Sequence, residues 1–354
     1  MAHDRLRGKA FAMTTIIELV VSLVAILGAA ALFTNAVEML GERLNLGSGA
    51  VGSVLAAVGT ALPETMIPVV ALIGAALAGG SAAEAASEIG IGAILGAPFL
   101  LATLAMFVVG LAALGFRGRR QNGTDIVIEK RTTRRDMVYF LVLFAVAAGV
   151  GIVTLPTYVK VLVGIVLIVA YAFYVWRTIV AGGEQLEDVP NDLTIWPESS
   201  WGRAPTWAVV VQLLATLLVM GAGAHFFVEG VESASEALSI PAGLISLVLA
   251  PLATELPEKF NSVIWLREDK DTLALGNITG AMVFQSTLPV ALGLLFTRWE
   301  LDFISALSAV LALVSGLVFL GFLLRKAPIK AYYLLGAGTL YAGFVAVAIY
   351  QVAL

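Results

Sequence analysis

Two short acidic motifs carry most of the chemistry that the sequence suggests. GTALPE occupies residues 59–64 and ATELPE occupies residues 253–258, and each lies inside a long apolar run. Each motif ends in a glutamate, Glu64 or Glu258. An ionisable side chain within an apolar membrane segment costs at least about 2.5–3.5 kcal/mol on insertion scales, so it is a functional candidate by default. The two glutamates therefore predict a buried site for a positively charged species.

Other groups in the two motifs supply further oxygen atoms. A proline inside a helix leaves the carbonyl four residues earlier without its usual hydrogen bond, and here that frees the carbonyls of residues 59 and 253. The hydroxyls of Thr60 and Thr254 follow directly. Carboxylate, hydroxyl and carbonyl oxygens suit hard cations such as Ca²⁺ and Na⁺. Because two buried carboxylates repel each other, H⁺ competes with Na⁺ as the exchanged ion.

The composition is that of a polytopic helical membrane protein. Of its 354 residues, 60% are hydrophobic and only 13% are charged, whereas soluble domains carry about 25% charged residues. The absence of cysteine and the presence of only two histidines exclude thiolate and histidine-rich metal sites. No phosphate-binding loop or nucleic-acid patch is present. We therefore expect no enzyme activity, no cofactor and no nucleic-acid or protein partner, but inorganic cations and membrane lipids.

The apolar runs predict ten membrane-spanning helices. The fold class is therefore an all-α membrane protein. The spans lie near residues 14–39, 48–78, 89–115, 137–154, 157–180, 206–232, 241–267, 273–297, 302–324 and 329–353.

An internal repeat organises these spans. Residues 29–64 align without a gap on residues 223–258, and GAILG (92–96) aligns with GNITG (276–280). Each repeat has five spans, so the two must enter the membrane in opposite senses, as in many secondary transporters. The predicted organisation is a first repeat at 1–181, a linker at 182–205 and a second repeat at 206–354.

The distribution of lysine and arginine predicts the orientation of the spans. Most of these residues fall on the face that carries the basic loop 117–135. Cytoplasmic loops are enriched in lysine and arginine. We therefore expect this face to be cytoplasmic, with both termini extracellular, in a multi-pass protein of the prokaryotic plasma membrane.

The paired motifs resemble the two alpha repeats of the sodium/calcium exchanger (cation/calcium antiporter) superfamily, of the prokaryotic ten-helix type. The resemblance implies that cations bind between spans two, three, seven and eight. It also implies that Glu64 and Glu258 are central ligands, aided by Thr60 and Thr254, and that spans one and six form a sliding bundle. It implies antiport of Ca²⁺ against Na⁺ or H⁺ by alternating access.

The chain departs from the family pattern on the helix that follows each motif. Family members usually carry a GNxxGSNxxN-like pattern there. The second repeat keeps Gly276, Asn277 and Gly280 but has Met282, with Gln285 as its last polar residue. The first repeat keeps only the glycines and has Ala93, Ala97 and Leu101 at polar positions. Ca²⁺ prefers six to eight oxygen ligands, and these substitutions remove several of them. The site could therefore bind fewer ions, use more water or backbone oxygens as ligands, or bind a different cation.

Glu255 and Lys259 add a charge pair to the second motif only, and Glu255, like Gln285, is a further candidate metal ligand. Glu255 and Lys259 stand four residues apart in the favourable order for a helical ion pair. Our hypothesis is that Lys259 is a tethered cation that competes with or replaces one transported ion. A purely structural pair and a lysine that extends towards the cytoplasm are the alternatives. Asn277 either bonds a neighbouring helix or contacts the ion.

Four other functions compete with Ca²⁺ antiport. The loss of polar residues from span three favours a monovalent cation/proton antiporter. A degenerate member that binds ions without moving them, an intramembrane hydrolase and a channel are further alternatives. The hydrolase leaves the inverted repeat unexplained, and the channel needs a continuous polar pathway that these helices lack.

Overall fold

The apolar runs form long helices in the computed structural model, which describes residues 2–43, 51–153, 155–180, 193–196 and 204–353. Within these ranges, the description leaves out the side chains of residues 2–13, 38, 41, 42, 51–63, 179 and 256–258. Long helices are what lipid requires, because every backbone N–H and C=O must find its partner within the segment.

The helices are numbered along the chain. In the first half they are α1 (Ala2–Arg43), α2 (Val51–Leu77), α3 (Gly80–Leu100), α4 (Met106–Gly115), α5 (Lys130–Ile152) and α6 (Thr157–Val180). In the second half they are α7 (Thr206–Leu238), α8 (Ala242–Arg267), α9 (Asp271–Gln285), α10 (Leu288–Phe296), α11 (Phe303–Leu323) and α12 (Ala331–Ala353). The predicted all-helical membrane fold is confirmed.

The predicted spans correspond to these helices. Within the described residues, eight helical segments are long and apolar enough to cross a membrane, and α2 and α8 contribute two shorter apolar stretches, Glu64–Leu77 and Ala242–Glu255. The third span begins at Gly80, whereas the sequence predicted that it begins near residue 89. Its first turns are rich in alanine, which favours helix strongly enough to continue it past Glu84 and Glu88.

The third and eighth spans each contain an irregular turn at equivalent positions. A π-helical segment, Leu101–Ala105, separates α3 from α4. Ser286 and Thr287 separate α9 from α10. Such irregularities are frequent at functional sites. The sequence analysis did not predict them, although Pro98 and Pro289 lie close to the two turns.

Close backbone packing joins α3 to α8. A Cβ atom added to Gly92 would lie 2.2 Å from the carbonyl oxygen of Gly243, and one added to Gly96 would lie 2.1 Å from that of Leu247. The hydroxyl of Ser246 donates a hydrogen bond of 2.8 Å to the carbonyl of Ile89. Small residues at such spacing let membrane helices approach closely. The glycines that the first repeat keeps therefore pack span three against α8.

The long helices α1 and α7 also pack along each other. Gly223 of α7 lies against Ile26, and Gly230 lies against Leu19. These are the two spans for which the family resemblance implies a sliding bundle.

The basic loop after α4 anchors the beginning of α9. Its short strand β1 (Asp125–Ile126) pairs antiparallel with β2 (Ile329–Lys330) before α12. The Lys330 ammonium donates to Asp125, and this hydrogen bond raises the pKa of Lys330. The buried Arg120 guanidinium donates to the Asp271 carboxylate at 2.6 Å and to the Leu266 carbonyl at 3.1 Å. A loop predicted only as a topology signal therefore also fixes the turn between α8 and α9.

Candidate cation-binding site

A glutamine joins two buried carboxylates from the two halves of the chain. The Nε2 atom of Gln285 donates hydrogen bonds of 2.7 Å to Glu64 Oε2 and 2.6 Å to Glu255 Oε1. The relative exposures of Glu64, Glu255 and Gln285 are 8%, 0% and 2%. Because an amide NH₂ carries two donors and an ionised carboxylate only accepts, the amide can satisfy both carboxylates at once. Helices α2, α8 and α9 therefore meet at one polar point.

Lys259 lies on the other side of Glu255. Its Nζ atom is 3.6 Å from Glu255 Oε2, and the side chains of both residues are at least 98% buried. The two oxygens of Glu255 thus contact different partners, Lys259 at Oε2 and Gln285 at Oε1. The lysine does not extend towards the membrane surface, so that alternative reading of Lys259 is wrong.

The other predicted site residues have different positions. The buried Thr254 hydroxyl donates to the Ala250 carbonyl at 3.1 Å, one turn earlier in α8. Asn277 donates to the Ser262 hydroxyl at 3.4 Å and so contacts α8 from α9. The side chains of Thr60 and Glu258 lie outside the described residues. The predicted meeting of Glu64 with Glu258 therefore stays a prediction, and the contact that the structure describes is between Glu64 and Glu255.

The site contains several oxygen atoms that could bind a cation, but Ala93, Ala97 and Leu101 of span three supply no side-chain oxygen. The carboxylates of Glu64 and Glu255 and the amide oxygen of Gln285 are hard donors. On α3 and its π-helical continuation, Ala93, Ala97 and Leu101 are buried apolar residues. In the described part of the chain, no three His, Cys, Asp or Glu side chains converge as a metal cluster would. By their chemistry these oxygens suit a hard cation and not a soft metal.

Asp136 is a further buried carboxylate outside this site, and it was not predicted from the sequence. Asp136 of α5 accepts hydrogen bonds from the Tyr174 hydroxyl at 3.1 Å and the Thr279 hydroxyl at 3.2 Å. Arg135 donates to the same carboxylate at 3.1 Å. The only signal in the sequence was an aspartate six residues after the start of α5. Its contacts hold α5, α6 and α9 together.

Two equivalent threonines at the irregular turns were also missed. The repeat that aligns GAILG with GNITG pairs Thr103 with Thr287. Both are fully buried, and each donates to the carbonyl four residues earlier, that of Phe99 or Val283. The same alignment could have identified them. Extending it past the glycines would have shown a polar pair where each helix is interrupted.

Comparisons with known proteins agree with this architecture. An uncharacterized membrane protein of Methanocaldococcus jannaschii is 25% identical over 285 residues, which cover 80% of this chain and 82% of that protein. Vacuolar cation/proton exchanger 2 of Oryza sativa subsp. japonica is 28% identical over 123 residues, which cover 33% of this chain and 27% of that one.

Similarity to a solved structure extends over nearly the whole chain. A crystal structure of an H⁺/Ca²⁺ exchanger superposes with a TM-score of 0.71 at 19% identity, covering 96% of this chain and 84% of the other. At this identity the likeness shows the fold alone. The family model described as sodium/calcium exchanger protein matches residues 14–180 and 208–354. Because that match covers both halves, this chain belongs to the sodium/calcium exchanger family.

Proposed function

We propose that this protein is a secondary-active cation antiporter that exchanges Ca²⁺ for Na⁺ or H⁺ across the cell membrane by alternating access. The observation that carries the proposal is the Gln285 amide, which holds Glu64 of the first repeat and Glu255 of the second at one buried point. Glu258 and Thr60 complete the proposed ligand set from their places in the two motifs.

The residues around this point have different roles in the proposed cation binding. Glu64 and Glu255 supply negative charge, which replaces the hydration that a cation loses on entering the membrane. Gln285 holds the two carboxylates together before the cation arrives, so less conformational freedom is lost on binding. Thr254 is proposed to contribute a hydroxyl oxygen, whose own proton is donated in a hydrogen bond to the Ala250 carbonyl.

The helices around the site suggest which parts move. The pair α3 and α8 is tied by glycine contacts and by the Ser246 hydrogen bond. The long helices α1 and α7 pack on each other and lie outside this tightly joined pair. In the proposed cycle, α1 and α7 slide against α2, α3, α8 and α9, and this motion opens the site to each side of the membrane in turn.

Related proteins support the choice of ions. The rice relative is named a cation/proton exchanger, and the superposed crystal structure is that of an H⁺/Ca²⁺ exchanger. Ca²⁺ is thus a natural first cargo to test, with H⁺ and Na⁺ as the two driving ions to be imposed separately.

Uptake into proteoliposomes tests the proposal. Vesicles carry an outward H⁺ gradient, an outward Na⁺ gradient or no gradient, and the uptake of radiolabelled Ca²⁺ is followed. We expect uptake that depends on one gradient and that is abolished in E64Q and in E255Q. E84Q is the matched control, because Glu84 is an exposed glutamate of α3. Uptake that ignores both gradients, or that survives in E64Q, would rule out this antiport mechanism.

The apolar surface of span three favours one second candidate, a monovalent cation/proton antiporter. Ala93, Ala97 and Leu101 provide no side-chain oxygen, whereas Ca²⁺ prefers six to eight oxygen ligands. The same vesicles distinguish this function. Proton-driven uptake of Na⁺ or K⁺ without Ca²⁺ uptake would establish it. Equilibrium binding of the cation without any flux would instead indicate a member that binds ions but does not transport them.

A further inference from the structure

The second half of the site carries a charge pair that the first half lacks. The repeat aligns Glu255 with Ala61 and Lys259 with Thr65. One half of the site therefore has an acidic and a basic residue at positions where the equivalent half has uncharged residues. The pair brings no net charge. It does, however, place one positive charge at the site that is covalently attached to the protein and not carried by a bound ion.

The position of Lys259 separates it from the surface. It precedes the last residue of α8, Arg267, by eight residues, which is about 12 Å along a helix. Its side chain is 2% exposed and its ammonium faces Glu255. Burying two charges costs several kcal/mol per ion before their attraction is counted. A pair with no role beyond stability would therefore be an expensive feature, since apolar residues could fill the same volume.

The geometry around Glu255 assigns a role to the ammonium. We propose that Lys259 is a built-in monovalent cation at the Glu255 carboxylate, so that the site binds one mobile cation fewer than its carboxylates would otherwise hold. Lys259 contacts Oε2, which leaves Oε1 directed towards Gln285 and Glu64. The tethered charge and the cargo thus use different oxygens of one carboxylate.

Charge counting shows what this arrangement selects. Glu64, Glu255 and Glu258 carry three formal negative charges, and Lys259 returns one positive charge. The remaining two charges match a single divalent cation. This inference rests on the proposed function for the identity of the cargo and for Glu258 as a ligand, whereas the number of bound cations is measured without any transport.

The test compares binding stoichiometry in purified protein and charge movement in vesicles. In K259T the second repeat receives the residue of the first. We expect K259T to bind one additional Na⁺ per protein in equilibrium dialysis with radiolabelled Na⁺. We also expect its reversal potential for Ca²⁺ uptake to shift by the equivalent of one charge per cycle. K259R retains the charge and should bind no additional Na⁺, and E255A/K259T should lose the additional Na⁺ again. Folded K259T with the wild-type count and reversal potential would overturn the inference.

A second comparison covers the case in which K259T does not fold. In E255Q the ammonium loses its neutralising carboxylate and repels the cargo, so Ca²⁺ affinity should fall by about tenfold or more. Removing the lysine as well, in E255Q/K259T, should recover most of that loss. Equal affinities of E255Q and E255Q/K259T would mean that Lys259 is structural only. Binding without gradient-driven uptake in the wild type would overturn the antiport proposal and leave this inference standing.

Discussion

The third and eighth spans occupy equivalent places in the two repeats, yet they contribute to the site in opposite ways. Span eight brings Gln285, whose amide contacts both Glu64 and Glu255. The equivalent residue of span three is Leu101, which is apolar and fully buried. An inherited repeat can therefore keep two helices in matching positions while only one of them keeps the polar chemistry.

The glycines of the two spans differ in the same sense. Gly92 and Gly96 are in backbone contact with α8, whereas no described atom lies within 4 Å of a Cβ added to Gly276 or Gly280. Span three therefore packs on α8 through its glycines, and the described residues show no such contact for the glycines of span eight. The two halves of the site are thus asymmetric both in ligands and in packing.

Replacing Gln285 by leucine would remove the main polar difference between the spans. In Q285L the two carboxylates are no longer held together, and one amide oxygen is lost from the site. We expect apparent Ca²⁺ affinity to fall by about 10–100-fold, as is typical when a residue that orients ligands is removed. Radiolabelled Ca²⁺ binding and uptake measure the change. Q121L is the control, since Gln121 is an exposed loop residue. Wild-type affinity in Q285L would show that the amide bridge does not organise the site.

The sequence predicted the fold and the loss of polar residues from span three, but it did not predict the contacts that Gln285 makes. Ten apolar runs and a repeat with an odd number of spans define the architecture. In lipid, a spanning segment must satisfy its own backbone hydrogen bonds, and a helix is one of the few structures that does so. The choice of Gln285 as a site residue came from the family resemblance, since Gln285 occupies the last polar place of the pattern that follows the second motif. Its two partners could not be predicted, because which glutamate faces the amide depends on the rotation of α2 and α8 about their axes.

Other contacts were beyond the sequence because they join distant segments. Asp136 and Thr279, or Arg120 and Asp271, are more than 140 residues apart in the chain, and no local pattern links them. The interrupted helices are a different case. Pro98, Pro289 and the pair Thr103 and Thr287 are visible in the aligned repeats, and the turns they mark could have been predicted.

Adding one methyl group to equivalent glycines would test the packing half of the comparison. In G96A the new Cβ would lie 2.1 Å from the Leu247 carbonyl oxygen, so α3 and α8 must separate. Overpacking of this kind costs about 1–3 kcal/mol. G280A adds the same atom where no described group is near, and alanine favours helix by about 1 kcal/mol over glycine. Thermal unfolding in detergent should therefore show a destabilised G96A and an unchanged or more stable G280A.

Transport gives a second measurement on the same two variants. We propose that, in the cycle of alternating access, the glycine face of α9 closes on a neighbouring helix in the opposite state. We therefore expect G280A to fold normally but to exchange Ca²⁺ more slowly than the wild type. Equal stability losses in G96A and G280A would contradict the packing difference, and normal exchange by G280A would show that this face stays open throughout the cycle.

The smallest expected effect concerns the tie between α9 and α5. Thr279 donates to Asp136 at 3.2 Å, and its equivalent in span three is Leu95, a fully buried apolar residue. T279V removes the hydroxyl, and a hydrogen bond to a charged group is worth about 1.5–3 kcal/mol. At a length of 3.2 Å we expect the lower end of that range, measured as a lower free energy of unfolding. T279S keeps the hydroxyl and loses only a methyl group, so it should lie closer to the wild type. A larger loss in T279S than in T279V would mean that the methyl packing of this residue, and not its bond to Asp136, holds α9 in place. The polar contacts by which span eight stabilises the fold would then not include the bond from Thr279.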